Sequence, residues 1–129
     1  MVYLSLKGQA FKKITMDIDP MERSELELEN TTDFDIKYSD DRSSCLARLK
    51  QEVRAKDDPS RFTVVVELLA DFSCEGIETA EDKKTAHIQA YTLIFPYVQN
   101  MISQMVVSAG LPPLMIEMLN MKPEEINVK

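Results

Sequence analysis

Glycine, tryptophan, histidine and cysteine are scarce in this sequence, and each shortage removes a class of site. The 129 residues contain three glycines, no tryptophan, one histidine and two cysteines. A phosphate-cradling loop needs clustered glycines, whereas Gly8, Gly76 and Gly110 lie far apart. Cys45 and Cys74 match no metal-ligand spacing, so we expect reduced thiols in a reducing compartment. No cofactor and no metal are therefore expected.

Positive charge is also in short supply. Lys and Arg number 15 against 22 Asp and Glu, which leaves a formal net charge of −7. Binding to nucleic acid depends on clustered Lys and Arg, so the composition argues against it. An acidic surface suits basic or unfolded polypeptide partners, and it also keeps an oligomer in solution.

No segment has the pattern of a secretion signal or a membrane span. The first residues lack a basic stretch followed by an apolar one. The longest uncharged run, Ile88 to Ile116, contains three prolines and several amide side chains, so it does not qualify as a spanning helix. We therefore expect a soluble, cytoplasmic protein without membrane insertion, folded as one domain over residues 1–129.

The residues that could perform chemistry do not form a catalytic set. The sequence around His87, the one histidine, supplies no nucleophile-elbow motif and no triad partner. Its apolar neighbours favour a structural role. Adjacent acids such as Asp40-Asp41 and Glu81-Asp82 lie at turns or helix starts, where acids are favoured for local reasons. An enzyme is therefore not expected.

Alternating apolar residues predict strands in the first half of the chain. Ile14, Met16 and Ile18 alternate with polar residues, and Pro20 closes this strand. The acidic stretch Glu22 to Asn30 has no clear period and is interpreted as a crossing loop. A second strand is predicted where apolar residues again alternate with charged ones, at Phe34, Ile36 and Tyr38.

Two later segments have different patterns. Cys45 to Lys56 fits a helix face and a strand face equally well, and its pattern leaves both open. Phe62 to Phe72 is apolar at both parities, which predicts a strand covered on both sides. In so small a protein one of these covers is expected to be a second subunit, with Val64, Val66 and Leu68 at the interface.

The period changes to that of a helix after Gly76. Thr79 and Asp82 have the spacing of a capping box. Apolar residues at helical spacing then run from Ile94 to Ala109, which predicts a long helix.

Three prolines and one glycine predict where this helix kinks, restarts or ends. Pro96 either kinks the helix or lies near a restart capped by Thr92. Gly110 is a suitable C-terminal cap, and Pro112-Pro113 prevents continuation. A last short helix is predicted to begin at Glu124. Strands first and helices second is an α+β pattern with an antiparallel sheet.

The uncharged outer face of the predicted helix needs a partner. A helix on a one-sided sheet should carry charge outside, but this face offers only Gln99, Asn100, Ser103, Gln104 and Ser108. We therefore expect a second copy of the chain to cover it. The expected interface residues on the helix are Tyr97, Met101, Ile102 and Met105.

Methionine is concentrated near the C-terminal end, where five of the eight fall within the last thirty residues. Flexible thioethers adapt to varied apolar partners, so such clusters recur on promiscuous binding surfaces. Met101 and Met105 are expected to be packed. For Met115, Met118 and Met121, which come after the helix, a binding groove and ordinary packing both stay open.

The second half of the chain resembles the SecB export chaperones in the order and spacing of its residues. The matching residues are Phe72–Glu78, Ala86-His87, Ala90-Tyr91, Ile94-Phe95-Pro96-Tyr97, Ile102-Ser103, Met105-Val106, Gly110, Pro113-Leu114 and Asn120. The first half matches loosely, through Lys13-Ile14-Thr15.

The resemblance implies a four-stranded antiparallel sheet, then a long helix and a short C-terminal helix or extended tail. Cys45 to Lys56 would then be a strand. It also implies a dimer or dimer of dimers and an ATP-independent holdase, which keeps unfolded or export-bound polypeptides from folding by binding them. The expected groove residues are Phe34, Ile36, Met115, Ile116, Met118 and Leu119.

Two departures from the family pattern bear on partners. The family docks the SecA motor through acids on the first and fourth strands, and here Asp17 keeps one such position while Lys13 and Val65 occupy others. Asp17 is thus the one expected translocase contact.

Because SecB-like proteins also include chaperones dedicated to one client, the alternative is an adaptor, structural oligomer or dedicated chaperone that binds one protein. An adaptor would use the acidic stretch Glu22 to Asp35.

Overall fold

The computed structural model describes residues 1–19 and 27–126, which form four strands followed by one long helix. The elements are β1 (Tyr3–Ile18), β2 (Leu28–Tyr38), β3 (Ser44–Ala55), β4 (Phe62–Glu75), α1 (Ala80–Ser108) and a 3₁₀ turn at Pro123–Glu125. All strand pairs are antiparallel, and the strand order is β1-β4-β3-β2. This architecture confirms the predicted α+β fold. No helix in the described ranges is long and apolar enough to cross a membrane.

Strand β1 is much longer than its alternation predicted. It begins at Tyr3, well before Ile14, and pairs with β4 from end to end. Two register shifts, after Leu6 and after Phe11, each insert one extra residue into β1. Because a one-residue slip moves later side chains to the other face, a strict period of two detects only the last part of this strand. The predicted closing residue, Pro20, lies outside the described residues.

The bounds of β2 and β3 differ from one prediction, the loop Glu22 to Asn30, and decide the helix-or-strand question at Cys45 to Lys56. Strand β2 begins at Leu28, so Leu28 to Asn30 are not part of a loop, while residues 22–26 of the acidic stretch lie outside the described ranges. The ambiguous segment Cys45–Lys56 is strand β3, as the family resemblance implied. Pairing with β2 on one side and β4 on the other supplies the hydrogen bonds that decide between helix and strand.

The core lies between α1 and one side of the sheet, called here the helix side. Its most buried members are Leu49, Val53, Val64, Val66, Leu68, Phe72, Tyr91, Ile94, Val98, Ile102 and Val106. Burying one such side chain stabilises the fold by about 1.5–3 kcal/mol.

This packing corrects four of the expected interface residues. Val64, Val66, Leu68 and Ile102 are 0% exposed within a single chain, so none of them can face a second copy. The sequence suggested that a second subunit covers one face of β4. On the helix side, the cover is the chain's own α1.

Helix α1 begins as predicted and passes through Pro96. The Thr79 hydroxyl accepts a hydrogen bond from the Asp82 N–H at 3.1 Å, and the Asp82 carboxylate accepts one from the Thr79 N–H at 3.0 Å, which completes the capping box. The restart at Thr92 does not occur. Instead the Thr92 hydroxyl donates back to the Ile88 carbonyl at 2.8 Å, inside a continuous helix.

The end of α1 reverses the chain. Gly110 has φ +89°, its N–H donates to the Val107 carbonyl, and the Leu111 N–H donates to the Val106 carbonyl. This is a Schellman cap, which needs a left-handed residue at the position of Gly110. The next residues, 111–122, form no helix or strand and are called the tail segment.

Candidate functional site

The tail segment lies against α1 and is held there through its main chain. Gln99 Nε2 donates to the Leu114 carbonyl at 2.7 Å, and Gln99 Oε1 accepts from the Ile116 N–H at 2.7 Å. Ser103 Oγ donates to the same Leu114 carbonyl at 2.8 Å. Tyr91 Oη accepts from the Leu119 N–H at 2.9 Å. Three side chains of one helix therefore bind the peptide groups of a non-helical segment.

The side chains of the tail segment differ in how much of their surface is exposed. Ile116 is buried against the core, and Leu114 and Met121 are partly buried. Met115, Met118 and Leu119 are 78%, 46% and 49% exposed. The tail segment thus directs peptide groups toward α1 and presents apolar side chains to the outside, where a partner could contact them.

A cleft separates strand β2, at the edge of the sheet, from the first half of α1. The Phe34 ring meets the rings of His87 and Tyr91 edge-on, with centroids 4.8 and 5.5 Å apart. Beside these rings lies a cavity of about 290 Å³, which is lined by Phe34, His87, Met121, Lys122, Glu125 and Ile126. The end of the tail segment and the 3₁₀ turn therefore form one wall of the cleft.

A larger cavity, of about 560 Å³, follows the edge of β2. Its apolar lining comes from Phe34, Ile36, Tyr38, Leu46 and Leu69, and its polar lining from Lys12, Asp35, Lys37, Arg48, Lys83 and His87. Within the described sheet β2 pairs with β3 alone. Its other side therefore presents main-chain N–H and C=O groups, which an added strand can pair with.

Arg48, which lines this cavity, forms ion pairs with three carboxylates. Arg48 donates to Asp33 at 2.7 Å, to Asp35 at 2.8 Å and to Glu67 at 3.0 Å. These three carboxylates raise the pKa of Arg48 further above its usual range, so the guanidinium stays charged. Glu67 is almost buried, with 10% of its side chain exposed, and needs this cation.

Burial favours the neutral form of two titratable groups in the cleft, Tyr38 and His87. Burial raises the pKa of Tyr38 to about 12, and its hydroxyl donates to the Lys83 carbonyl at 3.4 Å. Burial also lowers the pKa of His87, against a weaker opposing effect of Asp35. The aromatic side of the cleft is suited to binding apolar groups, whereas the wall that the tail segment and the 3₁₀ turn supply includes Lys122 and Glu125.

Metal binding finds no support within residues 1–19 and 27–126, where no group of three or more His, Cys, Asp or Glu side chains could hold an ion. Cys45 and Cys74 are buried free thiols with sulfur atoms 3.2 Å apart. Burial raises the pKa of both, which keeps them protonated and unreactive.

The structure places the remaining predicted residues in three locations. Phe34 and Ile36 are partly buried on β2 and line the large cavity, whereas the predicted groove residues after Gly110 belong to the tail segment. Tyr97 is exposed on α1, and Met101 and Met105 are partly buried, so their place in an interface stays a prediction.

Asp17 lies away from the cleft. It pairs with Thr63 on the side of the sheet opposite α1, and its side chain is exposed. Its contact with a translocase also stays a prediction.

Sequence reasoning missed Tyr91, Gln99 and Ser103 as contacts of the tail segment. Gln99 was expected on the outer face of the helix, but only 9% of it is exposed. Gln99 and Ser103 are one turn apart in an uncharged stretch, and this pairing of two polar residues among apolar ones was the available signal. Leu93 and Val107, which are exposed on α1, were missed as well.

A family model described as SecB, preprotein translocase subunit SecB, matches residues 9–123. The chain belongs to the SecB family. It is 26% identical over 129 residues to the protein-export protein SecB of Neorickettsia sennetsu, an alignment that covers 88% of this chain and 79% of that protein. Membership confirms the prediction that the chain is a SecB-like chaperone and not an enzyme.

Solved structures support the fold. A Mycobacterium tuberculosis SecB-like chaperone, in complex with a peptide from the HigA1 antitoxin, matches with a TM-score of 0.69 and 17% identity, covering 91% of this chain and 88% of that one. A Streptococcus agalactiae protein of unknown function matches with a TM-score of 0.54 and 12% identity, covering 91% and 98%. At these identities the likeness concerns the arrangement of sheet and helix.

Proposed function

We propose that this SecB-family chaperone is an ATP-independent holdase, which binds unfolded or export-bound polypeptides in the cytoplasm. The observation that supports it best is the aromatic cleft between β2 and α1, together with the exposed apolar side chains of the tail segment. Unfolded chains expose apolar side chains and peptide groups together, and this surface offers partners for both.

The proposed cleft binds an extended client in two ways. Apolar client side chains contact Phe34 and Ile36 in the cleft and Met115, Met118 and Leu119 on the tail segment, while the open edge of β2 pairs with the client main chain. Binding only the unfolded state lowers the concentration of free unfolded chains, so it delays aggregation by mass action.

We also propose that the chain self-associates through α1, as a dimer or a dimer of dimers. Leu93, Tyr97 and Val107 are 47%, 43% and 49% exposed on a helix surface without charge, and Met101 and Met105 lie beside them partly buried. Covering these side chains removes apolar area from water. Light scattering should therefore give a mass that is two or four times that of one chain.

An aggregation assay tests the holdase proposal. A slowly folding client is diluted from denaturant with stoichiometric chaperone and no nucleotide, and turbidity is followed. We expect a clear delay and reduced final scattering. An aggregation curve that matches the client alone would contradict the proposal.

A pair of aromatic substitutions locates the binding surface in the same assay. Phe34→Ala removes the ring that contacts His87 and Tyr91 and should weaken protection severalfold. Tyr3→Ala removes an exposed ring, 59% exposed at the far edge strand, and should protect as well as the unmodified chain. Circular dichroism and thermal unfolding verify that both variants fold.

A second candidate function is a chaperone dedicated to one partner. It is favoured by the fold match to a SecB-like chaperone whose structure contains a peptide of one antitoxin. Capture of partners from the native cell extract distinguishes the two, since a dedicated chaperone should return one dominant protein and a general holdase a mixed set. An adaptor acting through Glu22 to Asp35 should lose its partner when the acids of β2 are neutralised.

Docking to a SecA motor has one candidate contact on this chain, Asp17. Asp17 is exposed, but Lys13 and Val65 stand near it on the same side of the sheet, so the local surface is not consistently acidic. If Asp17 is a translocase contact, Asp17→Asn should weaken binding to purified SecA without affecting protection in the aggregation assay.

A further inference from the structure

The contacts between α1 and the tail segment have the chemistry of a site for extended polypeptide. Gln99 donates to the carbonyl of residue 114 and accepts from the N–H of residue 116. These two peptide groups flank Met115 and point to the same side, as they do when a strand residue pairs with a parallel neighbour. The Gln99 amide thus stands in for the peptide group of an adjacent strand.

The orientation of the Gln99 amide follows from its partners. Its nitrogen can only donate and its oxygen can only accept. Turning the amide over would place a donor against the Ile116 N–H and an acceptor against the Leu114 carbonyl, and both bonds would be lost. Ser103 strengthens the arrangement, because its hydroxyl accepts from Gln99 Nε2 at 2.9 Å while it donates to Leu114.

This site recognises the backbone far more than it recognises side chains. The side chain of Met115, the residue bridged by Gln99, is 78% exposed, and the side chain of Leu119, whose N–H meets Tyr91, is 49% exposed. Ile116 alone between Met115 and Leu119 is well buried. Any extended segment with one apolar residue at the position of Ile116 can make the same bonds.

We propose that Tyr91, Gln99 and Ser103 form a main-chain clamp for extended polypeptide, and that the tail segment is its built-in occupant, which a client segment displaces. The inference rests on the proposed holdase function and adds the binding mode. It also changes the role of the tail segment: at the clamp, the tail segment competes with the client and does not bind it. Because only the fraction with an open clamp can bind there, docking of the tail lowers client affinity.

Two substitutions in the full chain separate the clamp from its occupant. Ile116→Pro removes the N–H that donates to Gln99 Oε1, together with the buried Ile116 side chain, and leaves the three clamp residues unchanged. Gln99→Leu removes the central member of the clamp, with its bonds to Leu114 and Ile116, and leaves Tyr91 and Ser103. Both should speed hydrogen exchange at the Leu119 amide. Only Ile116→Pro should tighten binding of a reduced, carboxymethylated, permanently unfolded polypeptide, by about twofold to tenfold, the range expected for one lost hydrogen bond. Gln99→Leu should weaken it.

A matched control places proline one residue later. The Glu117 N–H donates to no other residue in the described ranges, so Glu117→Pro should leave exchange at Leu119 and client affinity unchanged. Equal release of the tail by both prolines would show that no particular amide is recognised and would overturn the clamp. Weaker client binding by Ile116→Pro would show that the tail itself binds the client, and it would overturn the clamp proposal. Unchanged client binding, although hydrogen exchange shows the tail to be released, would overturn the clamp proposal as well.

A peptide added in trans tests the clamp without a client. The probe has the sequence of residues 111–122, and a second version is N-methylated at the position of Ile116. The first should bind Ile116→Pro more tightly than the unmodified chain, in which the tethered tail competes at high effective concentration, and the methylated version should bind neither. If the unmethylated and the methylated peptide bind equally well, the clamp proposal is refuted, while the holdase proposal is unaffected. If the peptide behaves as expected but no chain protects or binds any unfolded client, the holdase proposal fails.

Discussion

Replacing Gly76 by alanine should be among the most destabilising single changes in this protein. Gly76 joins β4 to α1 and has φ +81°, a conformation that costs an alanine about 1–2 kcal/mol. A Cβ atom at this position would lie 1.9 Å from the carbonyl oxygen of Met1, so the first residues must move away. Val2, 7% exposed in the core, would move with them and lose a burial worth about 1.5–3 kcal/mol.

The two contributions add to about 2.5–5 kcal/mol, a large share of the stability of a domain of this size. In thermal unfolding this corresponds to a midpoint lowered by about 10–20 °C. Protein concentration must be kept constant across variants, since an oligomer's midpoint depends on it. Because Gly76 fixes where α1 starts over the sheet, protection of a client should fall in parallel.

Gly110→Ala is the matched control. Gly110 also has positive φ, +89°, but nothing lies within 4 Å of the added Cβ. Only the conformational cost of about 1–2 kcal/mol applies, so the midpoint should fall by roughly 3–8 °C. If the two variants lose equal stability, the close approach of Met1 to Gly76 does not contribute and the reasoning is refuted.

Three further predictions concern charged and ionisable side chains. Arg48→Met leaves Glu67 nearly buried without its cation and should cost about 1–2 kcal/mol in urea unfolding at pH 7, since the ion cluster is partly exposed. This loss of stability should shrink when Glu67→Gln is added; full additivity of the two substitutions would contradict the pairing. Because burial depresses the pKa of His87 in the folded chain, the unfolded chain binds more protons below about pH 6.5, and stability should fall between pH 7 and pH 5. His87→Gln should flatten this dependence, and an unchanged slope would exclude His87 as its source. Cys45 and Cys74 should react with iodoacetamide at least about tenfold more slowly in the native chain than in urea, as followed by intact mass, because burial keeps both thiols protonated. Equal rates would show that the thiols are accessible.

The start of the sheet shows why sequence patterns recover only part of a strand. Ile14 to Ile18 alternate and were found, whereas the stretch from Tyr3 to Phe11 was not. The bulges after Leu6 and Phe11 are stabilised by pairing with β4, whose partner residues lie about sixty positions later in the chain. Local alternation carries no information about such distant pairing.

The interface prediction failed at four positions for a related reason. The apolar character of β4 predicted a cover on both faces, but it does not say what the cover is. The length of α1 and its reach over Val64, Val66 and Leu68 decide that the helix side is covered within the chain.

Local chemistry in the sequence determined the elements that depend on near neighbours. Thr79 and Asp82 cap α1, Gly110 ends it, and period-two and helical spacings separate the strands from the helix, because each of these signals acts over a few residues. For Cys45 to Ala55 the local pattern left helix and strand open, the family resemblance implied a strand, and the tertiary structure confirmed it. Only the tertiary structure showed that Phe34 lies against His87 and Tyr91. It alone showed that Gln99 binds the tail segment. Those contacts join residues distant in sequence, and their bonds form only when the fold brings them together.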